Sequence, residues 1–284
     1  MHKEFFLSTF QDAEATLMMG KTSEEIDWKE ESRRFDGAAE FYTSYRPDFP
    51  DVLVECVISL TGIQENGKIL EIGSGTGKAT APFARRDYSI LCIEPGENLV
   101  SVAKQNLANF PRIEFQECAF EDWNERTNEF DLVISAQAFH WVPKEIGYAK
   151  VARALKTNGY LALFWNMYPY PKGGMYDDLS KVYEEQIPAL ANRTGSYKDL
   201  LKQREIEIIE SGCFGTVEVR KFPWVTRYST EQYLGLLNTY SDHLRLPEED
   251  RNRLFKSIAE VIERYGGYIE KPYLAVLYAA QKAS

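Results

Sequence analysis

An acidic residue followed by three glycines at alternate positions is the part of the sequence that bears most directly on chemistry. Glu71 precedes Gly73, Gly75 and Gly77, and glycine lets a backbone bend sharply and approach a ligand without a Cβ clash. The apolar residues 68–72 ahead of the glycines predict a buried strand. This combination predicts a nucleotide-like ligand at the carboxyl end of that strand.

The spacing of the glycines and the acid separates two kinds of nucleotide site. A dinucleotide site has Gly-x-Gly-x-x-Gly, with the pyrophosphate at the N-terminus of the following helix. Here the third glycine comes one position early, Lys78 stands in its place, and Glu71 would lie near two phosphates. A helix predicted over residues 78–86 would direct its first N–H groups into the same crevice. The pattern therefore favours a cationic ligand without phosphates over NAD.

A second acid follows the next predicted strand. The apolar run 88–93 ends in Glu94, which Pro95 follows. In dinucleotide-binding sheets an acid about 20 residues after the glycines binds the ribose hydroxyls. An isolated glutamate at a strand end is ordinarily only solvated, but the spacing from Gly73 favours a ribose-binding role for Glu94.

The acid and the alternate glycines resemble the first motif of the class I S-adenosylmethionine-dependent methyltransferases. The resemblance implies S-adenosyl-L-methionine as the cofactor. It also implies an α/β fold with a doubly wound, seven-stranded, mostly parallel sheet whose last strand is antiparallel. It covers residues 36–166 well and the remainder loosely. The cofactor-binding residues expected on this basis are Tyr45, Arg46, Glu71, Gly73, Ser74, Gly75, Gly77, Glu94, Pro95, Phe120, Glu121, Asp122, Trp123, Ala136 and Gln137.

The segment after the third predicted strand, residues 119–123, corresponds to the place where such enzymes hold the adenine ring. Asp122 is the candidate for the adenine amino group, and Glu121 is the alternative because the sequence does not say which side chain turns inward. Phe120 or Trp123 would offer a flat apolar wall. The competing interpretation of this segment is an ordinary surface loop.

The segment after the fourth predicted strand, residues 135–141, resembles a small-molecule branch that includes the trans-aconitate methyltransferases. The lead-in 42–50 resembles the same branch. Arg46 then has two candidate roles, binding the methionine carboxylate of the cofactor or binding an anionic substrate. His140 is either a general base, since imidazole titrates near neutrality, or an aromatic spacer.

Aromatic residues near the predicted strand ends and in the C-terminal half are candidates for the wall of a dry acceptor pocket. Each taken singly reads as ordinary core, and only their number together favours a pocket. Methyl transfer from an activated donor requires mainly that the donor and acceptor are held in position and that water is excluded. These candidates are Trp141, Trp165, Tyr168, Trp224 and Tyr240.

Strands and helices alternate along the chain, which predicts a parallel doubly wound sheet with its ligands at the carboxyl ends of the strands. Two helices predicted over 175–190 and 197–210 are expected to form a cap inserted after the fifth strand. The expected organisation is a lead-in over residues 1–50, a cofactor-binding core over 51–166, a helical cap over 167–214, and completion of the sheet and acceptor pocket over 215–284.

The composition of the 284 residues limits the classes of partner. A net charge of −10 argues against a broad nucleic-acid-binding face, which needs a basic stripe. The four cysteines lie far apart in the sequence, so neither a disulfide framework nor a zinc site is expected, and no metal is predicted. The sequence lacks an apolar stretch of the roughly 18 residues that a membrane span requires, and a cytoplasmic monomer or homodimer is expected.

Two functions remain open at the level of sequence. The leading one is a methyltransferase acting on a small molecule, and one form of it is a carboxylic acid O-methyltransferase with an anionic acceptor. The alternative is a regulatory or scaffold protein that binds S-adenosylmethionine without turnover. The early third glycine and Glu71 disfavour a nicotinamide-dependent reductase.

Overall fold

The computed structural model describes residues 36, 43–191 and 197–283. The expected lead-in over residues 1–50 therefore lies outside the described residues, except for residues 36 and 43–50. Within the described ranges, none of the helices combines the length and the apolar character that a membrane crossing requires.

Seven strands of the described residues form one sheet in the order β3-β2-β1-β4-β5-β7-β6. The strands are β1 (Lys68–Ile72), β2 (Ser89–Ile93), β3 (Ile113–Gln116), β4 (Phe130–Ala136), β5 (Leu155–Met167), β6 (Phe214–Ser229) and β7 (Tyr268–Lys282). The helices are α1 (Asp51–Thr61), α2 (Thr80–Ala84), α3 (Glu97–Asn106), α4 (Lys144–Ala154), α5 (Met175–Gln186), α6 (Pro188–Ala191), α7 (Tyr197–Glu210), α8 (Thr230–Leu237), α9 (Ser241–Leu244) and α10 (Glu248–Arg264).

Parallel pairing joins β1, β2, β3, β4 and β5, and β7 lies antiparallel between β5 and β6. This confirms the predicted doubly wound sheet with an antiparallel last strand. Parallel strands connected by helices are covered on both faces, so they carry continuous apolar runs. The last four residues of β1 are buried for this reason. The strand order changes direction between β1 and β4, and this change opens a crevice at the carboxyl ends of the two strands.

Alternate residues of the sheet enter two separate apolar cores. Leu161, Leu163 and Trp165 of β5 pack on one face with residues of α4 and α7. Ala162 and Phe164 pack on the other face with residues of α1 and α2. The period of two along a strand therefore decides which core a side chain joins.

The outer strands β6 and β7 continue past the end of β5 as a two-stranded ribbon. Met167 pairs with Leu274 at the end of β5, whereas β6 and β7 stay paired as far as Ser229 and Tyr268. Helices α8, α9 and α10 lie in the chain between the two ribbon strands. A third apolar cluster joins residues of these helices to the ribbon and to α5, and we call this assembly the cap.

The composition of the cap differs from the expected insertion over 167–214. Helix α5 does pack in the cap, through Leu179. Helix α7 instead packs against the sheet, where Leu201 and Ile208 join the core and the Tyr278 hydroxyl donates to the Leu201 carbonyl at 3.0 Å. An apolar helix face predicts burial but not the surface that buries it, so the pattern could not separate these two placements.

Candidate functional site

A cleft opens to solvent at the carboxyl ends of β1, β4 and β5. The ends of these strands and the glycine loop supply one part of its lining, which we call the floor, and residues before α1 supply another part. The lining residues are Arg46, Pro47, Phe49, Glu71, Gly73, Ser74, Gly75, Thr76, Lys78, Ala79, Ala136, Gln137, Asn166 and Tyr168.

Glu71 is the fully buried acid at the floor of this cleft. Its side chain is 0 % exposed, and Oε1 accepts no hydrogen bond from the described residues. The Cys92 thiol lies 4.0 Å from Oε2. Burial raises the pKa of Glu71 to about 8, a hydrogen bond with Thr80 opposes the shift, and the charge of Glu94 adds to it. A cation bound beside this carboxyl would favour its ionised form and lower its pKa.

Glu94 lies at the end of β2 and binds two backbone amides. Gly75 N donates to Oε2 at 2.9 Å and Gly96 N donates to Oε1 at 3.0 Å. Burial raises the pKa of Glu94 to about 7, the two amide hydrogen bonds lower it, and the charge of Asp36 raises it. Asp36 in turn accepts a hydrogen bond from Leu99 N at the start of α3. The two amide hydrogen bonds orient the Glu94 carboxylate towards the glycine loop.

The three glycines of the loop are required for different reasons. All three have positive φ, which an L side chain rarely adopts. A Cβ on Gly73 would lie 2.3 Å from the Ala138 Cβ, and a Cβ on Gly77 would lie 2.6 Å from Leu107. A Cβ on Gly75 would meet no atom within 4 Å. Gly73 and Gly77 therefore permit close packing, while Gly75 keeps open the space beside Glu94.

Arg46 connects the segment before α1 to the cap. It is 8 % exposed, its Nη1 donates to the Tyr168 hydroxyl at 2.7 Å, and its Nη2 donates to the Thr239 carbonyl at 2.9 Å. Its guanidinium also lies 4.4 Å from the centroid of the Tyr240 ring. The ring of its neighbour Tyr45 packs against Gly235 of α8. Arg46 and Tyr168 line the cleft, whereas Tyr45 and Tyr240 support them from the cap side.

Gln137 and Asn166 form a polar wall at the ends of β4 and β5. Gln137 has φ of 57°, its Oε1 accepts from Asn166 N at 2.7 Å, and its Nε2 donates to the Tyr168 hydroxyl at 3.3 Å. Asn166 Oδ1 accepts from Trp224 Nε1 at 3.3 Å. Trp224 stacks on Tyr273 with ring centroids 4.7 Å apart. Trp224 therefore fixes a lining residue without itself lining the cleft.

His140 does not line the cleft. It lies in the short 3-10 helix Phe139–Trp141, and its Nδ1 accepts a hydrogen bond from Trp165 Nε1 at 3.2 Å. The proton of the neutral ring is therefore on Nε2. Burial and the positive charge of Arg204 hold the pKa of His140 well below its ordinary value. Trp165 belongs to the apolar core, and the Arg204 guanidinium lies 3.7 Å from its ring centroid.

The expected adenine segment divides between core and surface. Phe120 and Trp123 are buried in the core that α4 covers, with their rings stacked at 5.7 Å. Asp122 is exposed, and the Glu121 carbonyl accepts from Lys150 Nζ at 2.8 Å. The structure therefore does not place either aromatic ring on the described lining. Pro95 is exposed and Trp141 half-buried, and both also lie outside this lining.

Sequence reasoning missed several lining residues, of which Asn166 is the most informative. The apolar run of the fifth strand ends at Trp165, and Asn166 is the next residue of the chain. A polar residue directly after such a run is a signal for a strand-end site. Pro47 and Phe49 carried no comparable signal, because they follow Arg46 in an irregular segment.

Comparisons with known proteins agree on one family. A family model described as a methyltransferase domain matches residues 69–159. An uncharacterised methyltransferase of Schizosaccharomyces pombe is 25% identical over 247 residues, covering 85% of this chain and 94% of that protein. A malonyl-[acyl-carrier protein] O-methyltransferase of Marinomonas is 23% identical over 133 residues, 46% of this chain and 49% of that protein.

A solved structure shares the fold. Phosphoethanolamine N-methyltransferase 2 of Haemonchus contortus, in complex with phosphomonomethylethanolamine and S-adenosylhomocysteine, aligns with a TM-score of 0.53 and 15% identity. The alignment covers 91% of this chain and 60% of that one.

Proposed function

We propose, from the premise that this chain is a class I S-adenosylmethionine-dependent methyltransferase, that it methylates a carboxylate of a small molecule. The observation that carries the proposal is that a carboxyl group and a guanidinium group line the same cleft. Glu71 and Arg46 both lie in the lining, together with Lys78, and Glu94 binds the Gly75 amide beside it. We assign Glu71 and Glu94 to the cationic cofactor and Arg46 to an anionic acceptor.

The residues of the cleft fit the cofactor. Glu71 has a buried oxygen without a hydrogen-bond donor among the described residues, as a site for a cation requires. Open space beside Gly75 leaves room for a ligand next to Glu94. Glu94 would bind the ribose hydroxyls, Glu71 would face the positively charged part, and the loop from Gly73 to Gly77 would lie against the ligand. When bound, S-adenosylmethionine supplies a methyl group already activated on a sulfonium.

The only carboxyl group in the described lining, Glu71, is assigned to the cofactor, and this assignment favours an acceptor that needs no base. A hydroxyl, amine or carbon acceptor usually needs a general base, whereas a carboxylate is already a nucleophile at neutral pH. His140 uses Nδ1 to accept from Trp165, and its Nε2 carries the proton. Burial also holds its pKa low. We therefore assign His140 a packing role beside Trp165 in the core rather than a role in removing a proton.

Arg46 is proposed to orient the acceptor. Its guanidinium is already held by Tyr168 and the Thr239 carbonyl, so little side-chain freedom is lost when an anion binds. Tyr168, which packs against Tyr273 with ring centroids 5.5 Å apart, then excludes water from the cap side of the cleft. Positioning and water exclusion supply the rate increase for a donor that is already activated.

The similarity to the malonyl-[acyl-carrier protein] O-methyltransferase of Marinomonas supports an oxygen atom as the acceptor, since the name of that protein describes methylation at oxygen. Within the same proposal, the resemblance of residues 135–141 to the trans-aconitate methyltransferases supports a small-molecule acceptor. Because function is set by the site rather than the fold, we assign acceptor recognition to the cap side of the cleft.

The test is a turnover screen with the purified full chain and S-adenosylmethionine. Carboxylic acids, phenols and amines are incubated separately, and S-adenosylhomocysteine and methylated product are measured by mass spectrometry. We expect methyl esters from acids only, and no product with a Glu94→Ala variant at low cofactor concentration. Methylated amines or phenols without esters would overturn the carboxylate assignment. Cofactor binding without product from any class would favour a silent binding protein.

A further inference from the structure

Lys78 is the cation that directly follows the glycine loop in the chain, and it lies in the lining of the cleft. Its Nζ donates a hydrogen bond to Asp48 Oδ1 at 3.0 Å. Asp48 stands between Pro47 and Phe49, which line the cleft from the segment before α1. The ammonium group of Lys78 therefore lies where the glycine loop meets the residues before α1.

The ion pair with Asp48 does not prevent Lys78 from binding a second anion. An ammonium group has three N–H donors, and the hydrogen bond to Asp48 uses one of them. The Lys78 side chain is 18% exposed and the Asp48 side chain is 73% exposed, so water screens the pair and it adds little to stability. A ligand carboxylate can therefore bind beside Asp48 or take its place at small cost.

The glycine loop has an acid before it and a cation after it. Glu71 is fully buried at the floor of the cleft, whereas Lys78 is partly exposed. The methionine part of S-adenosylmethionine carries both charges, because an ammonium and a carboxylate are attached to one carbon atom. Arg46 is the other cation of the described lining, and its guanidinium donates to Tyr168 and to the Thr239 carbonyl of the cap. Lys78 is therefore the cation of this lining that adjoins the glycine loop.

We propose that Lys78 binds the carboxylate of the methionine part of S-adenosylmethionine and so positions the cofactor along the glycine loop. This inference rests on the premise of the proposed function that the cleft binds this cofactor, and it does not depend on the acceptor. It leaves Arg46 for the acceptor, as the proposed function requires.

A cofactor analogue tests the proposal without turnover. Decarboxylated S-adenosylmethionine keeps the sulfonium and the ammonium and lacks only the carboxylate. Titration calorimetry on the full chain should show S-adenosylmethionine binding about tenfold or more tightly than this analogue, the difference expected for a charged hydrogen bond. Equal affinities for the two compounds, or a tighter analogue, would overturn the proposal.

Variants then assign the preference for the carboxylate to Lys78. Lys78→Met should reduce the ratio of the two affinities to about twofold or less, because binding of S-adenosylmethionine weakens and binding of the analogue does not. Lys78→Arg keeps the positive charge and should retain most of the ratio. Lys104→Met is the matched control and should keep the wild-type ratio, since it removes an exposed lysine of α3 that lies outside the described lining.

Asp48→Asn separates binding by Lys78 from a purely structural role of the ion pair. This variant breaks the same ion pair as Lys78→Met but keeps the ammonium group. If Lys78 binds the carboxylate, the variant removes a competing anion, and the ratio of affinities should stay the same or rise. If the ion pair only holds the residues before α1 in place, Asp48→Asn should lower the ratio as Lys78→Met does, and that result would contradict the inference.

The outcomes also separate this inference from the proposed function. If Lys78→Met keeps the wild-type ratio while Arg46→Gln loses it, the carboxylate binds to Arg46 and the inference is wrong, whatever the enzyme methylates. If Lys78→Met loses the ratio but the wild type yields no methyl ester from any acid, the inference stands and the assignment of a carboxylate acceptor fails.

Discussion

A hydrogen bond of 2.9 Å joins the Gly75 amide to the Glu94 carboxylate and ties the glycine loop after β1 to the end of β2. The same carboxylate accepts from Gly96 N at 3.0 Å. Each amide occupies one carboxylate oxygen, and each oxygen keeps a further lone pair for a ligand. Glu94 is therefore held in one orientation before a ligand binds.

Replacing Glu94 by Ala should weaken binding of S-adenosylmethionine by about 1.5–3 kcal/mol, because a charged hydrogen bond to the ribose is lost. Titration calorimetry measures the change. Glu97→Ala is the matched control, since Glu97 is an exposed acid three residues further along the chain. A 2′,3′-dideoxy analogue should be insensitive to the Glu94 change. Equal losses for the analogue and the natural cofactor would show that Glu94 does not bind the ribose.

Gly75→Val should mainly reduce cofactor binding, whereas Gly73→Ala should mainly reduce the stability of the fold. A side chain at Gly75 extends into open space in the cleft, so the valine variant should lose cofactor binding and keep most of its circular dichroism signal. The positive φ adds a strain of about 1–2 kcal/mol. A Cβ at Gly73 would lie 2.3 Å from Ala138, so the alanine variant should lower Tm more. Retained binding in Gly75→Val would show that the ligand lies elsewhere.

The stability of the ligand-free chain should fall as pH rises from about 5 to 8. Burial raises the pKa of Glu71 to about 8, against an ordinary value of 4.5. Between these values the folded carboxyl keeps a proton that the unfolded carboxyl has lost, so the free energy of unfolding decreases with pH and levels off above pH 8. Glu94, with a pKa of about 7, acts in the same direction. Thermal melts of wild type and Glu71→Gln measure the effect, which should be smaller in the variant.

The affinity for S-adenosylmethionine should rise over the same pH range, because the ionised carboxylate attracts the cation and the protonated one does not. Calorimetry in buffers of different ionisation enthalpy should detect proton release on binding. Glu71→Gln should bind more weakly above pH 8 and should lose part of the pH dependence. A variant whose affinity rises with pH as steeply as that of the wild type would exclude Glu71 as the titrating group.

Arg46→Gln should mainly raise the KM for the acceptor and leave cofactor affinity within about twofold. Because Arg46 also donates to Tyr168 and Thr239, the variant should lose about 1–3 kcal/mol of stability. Steady-state kinetics and denaturant unfolding measure the two effects, with Arg220→Gln as an exposed control. Weakened cofactor binding with unchanged acceptor kinetics would assign Arg46 to the methionine carboxylate instead.

His140→Phe should leave appreciable turnover on a carboxylic acid, since no proton is removed from that acceptor. The phenylalanine ring retains the aromatic contact with Trp165 but loses the hydrogen bond of 3.2 Å. A fall in kcat of about 10²–10⁴ is the usual cost of losing a general base. Such a fall, with Tm maintained, would identify His140 as that base and would contradict the carboxylate proposal.

The sequence predicts the central part of the fold well, because each prediction there rests on a local pattern. The apolar run before Gly73 and the acid Glu94 predict where two strands end. The alternation of strands and helices along the chain predicts the parallel sheet. The placement of α7 on the sheet rather than in the cap depends on which apolar surface it meets. No local pattern contains that information.

The candidate site shows the same difference between residues that a local pattern identifies and residues whose position depends on the fold. Glu71 and the glycines are adjacent in the chain, so their spacing alone identifies them. Phe120 and Trp123 have the expected residue types, but their burial in the core depends on the direction in which the chain turns after β3.

Ser229 and Tyr268, the residues at which the cap helices α8–α10 leave and rejoin the ribbon, are direct partners in the β6–β7 ladder. The insertion therefore departs and returns at neighbouring points, as a hairpin turn does. Its length can change with little effect on sheet closure, because the entropy of closing a loop grows only slowly with length. The segment between these two residues can therefore change in length without disturbing the strand pairing that closes the sheet.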